Sequence, residues 1–162
     1  MARLYDDFTV GDVYRSRLGR TVLEADNVWF TALTHNTNRV HLDAEYAATT
    51  EWGRPLVNST FTLALVMGLS VPDTSEAGGV NLGWEAVRLT APVFAGDTLR
   101  AETEVLAKRE SRSRPGFGIV TVRTRGVNQR GEVVIEFRRS FLLAREGPAA
   151  DARPGADAPW SV

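Results

Sequence analysis

Hydrophobic and polar positions change their period along this chain, and the changes mark out its elements. Residues 14–23, after a turn at 8–12, are rich in β-branched and aromatic side chains and read as a strand. From residue 21 or 24 to 34 the spacing becomes helical. Val28, Trp29, Ala32 and Leu33 fall on one face, and Asp26 sits near the amino end, where a carboxylate suits the helix dipole. Asp43 followed by Ala44-Glu45-Tyr46-Ala47-Ala48 reads as an N-cap and a short helix, which Gly53-Arg54-Pro55 breaks. Asn58-Ser59-Thr60 then offer N-cap residues ahead of 61–69, a run that is apolar on nearly every side. It is too short for a bilayer and too apolar for a surface, so a helix buried in the middle of the fold is expected.

Beyond a polar loop at 72–79 the period falls to two. Residues 84–91, 97–109, 118–128 and 132–143 read as strands, separated by turn-forming segments at 95–97, 111–116 and 128–131. Helices first and a long antiparallel meander after imply an α+β fold, a curved sheet wrapped around the apolar helix. Such a sheet leaves an edge to be covered, which pairing into a homodimer, or a larger assembly of dimers, would accomplish. The expected organisation is one domain over 1–145 and a Pro/Ala/Gly/Asp-rich tail over 146–162 that lacks the apolar surface to order itself.

Composition removes several function classes. The 162 residues carry a net charge of −1, which gives no drive toward nucleic acid or an acidic membrane. Lys108 is the only lysine, so the positive charge is otherwise arginine, the better fork for phosphate or carboxylate. There are no cysteines and two histidines, so disulfides, thiolate chemistry and a histidine-rich metal site are not expected, and no cofactor is expected. The amino terminus lacks the basic-then-apolar plan of a signal peptide and no apolar run reaches spanning length, so a cytoplasmic protein is expected.

Candidate chemistry concentrates in Thr34-His35-Asn36-Thr37-Asn38-Arg39-Val40-His41-Leu42-Asp43, which holds both histidines. Histidine is the side chain that most readily exchanges a proton near neutrality. Asn36 and His41 lie five apart on a loop between two predicted helices, where their polar tips can converge on a water. Asp43 reads as a cap rather than a catalyst.

These segments resemble the MaoC-like, or (R)-specific enoyl-CoA hydratase, family of the hot-dog fold over roughly residues 5–143. Three motifs carry the resemblance: Phe30-Thr31-Ala32-Leu33 with 36–43, Gly53-Arg54-Pro55-Leu56-Val57-Asn58-Ser59, and Pro92-Val93-Phe94-Ala95-Gly96-Asp97. His41 matches the family's catalytic histidine and Asn38 its motif asparagine. Asn36 stands where the family usually has aspartate, Arg39 at its proline, and Asn58-Ser59 at its His-Gly. The resemblance implies reversible hydration of a 2-enoyl thioester carried by CoA or acyl-carrier protein. His41 and Asn36 would grip the water, and the Ser59 backbone N–H at the start of the buried helix would hold the enolate oxygen. Asn38, Arg39, Arg54 and Asn58 would contact substrate. The Asn-Thr-Asn form of the first motif and the Val-Asn-Ser-Thr helix entry are similar to hydratases of dicarboxylic substrates such as mesaconyl-CoA or itaconyl-CoA. Arg39, Arg54, Arg112 and Arg114 are then candidates for the distal carboxylate or the CoA phosphates. Two alternatives stay open. One is a hot-dog thioesterase, disfavoured because 59–71 holds no carboxylate. The other is a non-catalytic acyl-CoA or acyl-carrier-protein binding module, which the loss of the aspartate keeps in view.

Overall fold

The computed structural model describes residues 3–146, so the predicted tail lies outside the described residues except for Glu146. In chain order come β1 (Val13–Arg15), β2 (Arg20–Thr21), α1 (Glu24–Leu33), α2 (Ala44–Ala48) and α3 (Ser59–Ser70). The sheet strands β3 (Val80–Leu89), β4 (Thr98–Glu110), β5 (Phe117–Val127) and β6 (Val133–Ala144) follow. The antiparallel sheet runs β1-β4-β5-β6-β3, with β2 also pairing β4. Period-two alternation sends Leu99, Ala101 and Val105 of β4, and Val120 and Val122 of β5, to the inner face. Glu102 and Glu104 face outward, opposite Arg125 and Arg123 in register, and both pairs close as salt bridges.

Helix α3 lies on the inner face. Val66 joins Val22, Leu99, Ile135 and Phe137 in one core cluster, each buried side chain contributing about 1.5–3 kcal/mol. The close approach depends on Gly126, because a Cβ there would come within 2.6 Å of Val66 Cγ2 and 2.8 Å of Ile135 Cγ2. At the other end of α3 the buried Arg139 of β6 donates from Nη2 to Thr74 Oγ1 at 2.8 Å and from Nη1 to Ser75 Oγ at 3.3 Å. It has no carboxylate partner among the described residues, and burial pulls its pKa down to about 10.

Four expectations need revision. The strand expected over 14–23 is split, because the Ser16 hydroxyl takes the Ala101 N–H and ends β1. The chain returns to β4 at Gly19, where a Cβ would press on Thr98 Cγ2 at 3.1 Å. Strand β3 begins at Val80 rather than 84 and ends at Leu89 rather than 91, with two bulges obscuring its alternation. Helix α1 is turned the other way: Asn27 and Thr31 point inward while Trp29 and Leu33 are 68% and 73% exposed. Finally, α3 is enclosed on one side only within a single chain. Thr62, Val66 and Ser70 are buried, whereas Ala64 and Gly68 border an open groove of about 880 Å³.

Candidate active site

The loop leaving α1 is built from three local devices. His35 takes a left-handed backbone conformation (φ 53°), and the Asn36 N–H reaches back to the Thr31 carbonyl at 3.0 Å, which closes the helix end. Next, Asn36 Oδ1 accepts the Asn38 N–H at 3.0 Å, an Asx turn. Asn38 Oδ1 in turn accepts the Val40 N–H at 3.2 Å and starts the single 3₁₀ turn Arg39–His41. The Asn36 and Asn38 side chains thereby do backbone work that delivers His41 to a fixed position.

The His41 ring is buried, and its Nδ1 lies 2.8 Å from the Leu56 carbonyl oxygen. A carbonyl can only accept, so Nδ1 carries hydrogen and the neutral ring keeps its lone pair on Nε2. The sequence reading missed the residue that organises this corner, Asn27. Its Nδ2 donates to the His41 carbonyl at 2.9 Å and to the Leu56 carbonyl at 3.2 Å, while its Oδ1 accepts the Asn58 N–H at 2.8 Å. One amide thus ties the histidine turn to the entry of α3. The available signal was a polar pair, Asn27 and Thr31, spaced one helical turn apart inside an otherwise apolar run.

Asn58 is almost fully buried. Its Oδ1 accepts the Thr60 N–H at 3.0 Å as the N-cap of α3, and its Nδ2 donates to Thr31 Oγ1 at 3.2 Å. Ser59 is therefore the first residue of α3, and its N–H is one that no helical carbonyl can accept. Arg39 pairs with Asp43 at 2.7 Å and lies over the Tyr46 ring. Asp43 also caps α2 through the Tyr46 N–H, and that hydrogen bond, with the one from Arg39, holds its carboxyl below the usual carboxylate range.

His41 and Arg54 line one cavity of about 210 Å³, together with Glu24, Asn27 and Ala95. Ser59 lines a second, of about 280 Å³, with Thr62, Trp52 and Leu89. Pro55 borders the first cavity, and Leu56 and Val57 border the second. Asn36, Asn38 and Arg39 line neither of them, and the side chains of Asn38, Arg39 and Asn58 are engaged within the protein. Chemically, the first cavity offers a positioned imidazole lone pair and one arginine, and the second offers the Ser59 amide at a helix start. This is the equipment for moving a proton beside an oxygen that gains negative charge.

The family model described as mesaconyl-CoA hydratase matches residues 2–158. The chain is 34% identical over 150 residues to the mesaconyl-CoA hydratase of Cereibacter sphaeroides, covering 93% of this chain and 43% of that protein. Against the (R)-specific enoyl-CoA hydratase of Aeromonas caviae it is 34% identical over 121 residues, covering 75% and 86% respectively. A solved Mycobacterium tuberculosis structure with a double hot-dog fold superposes with a TM-score of 0.80 at 26% identity, covering 98% of this chain and 51% of that one. The chain thus spans less than half the length of the mesaconyl-CoA hydratase it matches. A six-stranded antiparallel sheet packed on one central helix, with the histidine turn tied to that helix's amino end through Asn27, is the hot-dog architecture, and this chain belongs to the mesaconyl-CoA hydratase family.

Proposed function

We propose that this domain hydrates a 2-enoyl-CoA thioester reversibly, as a hydro-lyase. The observation that carries the reading is the His41 ring, held through Nδ1 by the Leu56 carbonyl with its lone pair left on Nε2. In the hydration direction Nε2 takes a proton from water as the oxygen bonds to C3. The double-bond electrons move to C2 and on to the thioester oxygen, which the Ser59 N–H and the α3 dipole stabilise. His41 then gives a proton to C2, the carbonyl re-forms, and the imidazole is neutral again. Asn36 takes no proton in this scheme, because an amide cannot at accessible pH, and since it lines neither cavity its part is to hold the turn that carries His41 by accepting the Asn38 N–H. No cofactor takes part in this scheme, and a cytoplasmic setting belongs to the same proposal. The names of the relatives support mesaconyl-CoA as the first substrate to test.

The working unit in this proposal is two hot-dog domains joined along β3. That strand is an open edge, and its Val80, Leu82, Trp84 and Leu89 are about half exposed. The longer relatives and the double hot-dog neighbour support this arrangement. Sedimentation should give a dimer, and a monomer at micromolar concentration would refute the pairing. The catalytic reading is tested by following loss of the enoyl absorbance. His41→Gln should lower kcat by about 10²–10⁴-fold. A smaller effect refutes the role of His41, and thioester binding without turnover by the wild type selects the binding-module reading that Asn36 favours.

A further inference from the structure

We infer that Arg54 is the residue that selects an acyl chain bearing a second carboxylate, an inference that rests on the hydratase reading above. Arg54 and His41 line the same cavity, and no other arginine or lysine lines it. Among the described residues no carboxylate pairs with Arg54; Arg112 and Arg114, the other candidates without an ion pair, do not line this cavity. Glu24, the acidic residue of the cavity, makes no ion pair with it. What holds Arg54 is the face of Phe94, with the guanidinium carbon 3.9 Å from the ring centroid. Phe94 is itself fixed, because its N–H donates to Asp97 Oδ2 at 3.0 Å and its ring packs against Trp52.

The ring meets the positive charge without accepting through a carbonyl or carboxylate oxygen, so the guanidinium keeps its N–H groups for a carboxylate as a two-toothed partner. The cavity's 210 Å³ lies below the range of pockets that hold drug-sized ligands, so it suits a short acyl group rather than a long chain. Of the four substrate contacts read from the sequence, Asn38, Arg39 and Asn58 are occupied by internal bonds. Of the four, Arg54 is the one that no internal hydrogen bond or ion pair engages among the described residues. Arg54 is thus a specificity residue, and His41 remains the proton-transfer group.

The test compares kcat/KM for mesaconyl-CoA, crotonyl-CoA and crotonyl-pantetheine in the wild type, Arg54→Gln and Arg54→Lys. Arg54→Gln should lower the mesaconyl-to-crotonyl ratio about 10- to 100-fold, chiefly through KM, and Arg54→Lys should recover part of it. An unchanged ratio overturns the inference. So does an equal loss on both CoA substrates with crotonyl-pantetheine spared, which assigns Arg54 to the nucleotide phosphates. A wild type that hydrates crotonyl-CoA but not mesaconyl-CoA overturns it while leaving the hydratase reading intact, and one that hydrates neither removes both.

Discussion

Replacing Asn27 by leucine, close in size but without hydrogen-bonding groups, removes the joint between the histidine turn and α3. Three bonds are lost, to the His41 carbonyl, the Leu56 carbonyl and the Asn58 N–H. The Leu56 oxygen keeps His41 Nδ1 as a partner, so two buried groups are stranded. At about 1–3 kcal/mol for each stranded group, the loss should be about 2–6 kcal/mol, a large share of the 5–15 kcal/mol that holds an ordinary domain together. Urea unfolding measures it as a lower midpoint at unchanged slope. Activity, assayed below the onset of unfolding, should fall further than the folded fraction does, because displacement of about 1 Å at a reacting group can cost 10²-fold. Asn27→Asp provides a control with a sign. Its carboxylate would face two carbonyl oxygens in a buried site, so its folded pKa is raised and its protonated form, which can donate, is the stable one. That variant should gain stability relative to the wild type as pH is lowered from neutrality, and lose it as pH rises. If Asn27→Leu costs under about 1 kcal/mol and retains full activity, Asn27 does not organise the site.

Further outcomes follow from other parts of the structure. Ser59→Pro deletes the amide proposed to hold the enolate oxygen at the one helical position where proline is well tolerated, and the extended backbone of Asn58 (ψ 126°) suits a following proline. It should melt near the wild type yet lose about 10²–10³-fold in kcat, and a fully active variant refutes the oxyanion role. The pH dependence of stability should carry a signature of Asp97. Burial acts to raise its pKa, but hydrogen bonds from Gln129, the Phe94 N–H and Arg130 outweigh it and hold the carboxyl below its ordinary value. The carboxyl's folded pKa lies below its unfolded one, so its contribution is present at neutral pH and disappears as pH falls through the folded value. Asp97→Asn should be less stable at pH 7, with the deficit shrinking below about pH 4 in urea titrations; a deficit independent of pH would refute the linkage.

What the sequence made legible was whatever depends on local pattern. Asp43 and Asn58 cap α2 and α3 as their types and positions predict, and the alternation of β4 to β6 gave those strands to within a residue or so. The misses share a physical cause: each depends on a surface that local spacing does not contain. On α1 the apolar stripe of Val28, Trp29, Ala32 and Leu33 looked like the buried face, yet the buried requirement there is polar. The carbonyls of His41 and Leu56 and the N–H of Asn58, far apart in sequence, need donors and an acceptor at one point, and Asn27 meets all three. Satisfying buried backbone groups outweighs burying that apolar stripe, since its side chains stay available for cover from outside the domain. The same logic explains α3 and β3. Composition marked α3 as buried on every side, but one chain encloses only the Thr62–Val66–Ser70 face and leaves β3 half exposed along its length. The exposed Val80, Leu82, Trp84 and Leu89 of β3 are the side chains that the proposed pairing of two hot-dog domains would cover, and local spacing within one chain carries no record of that surface.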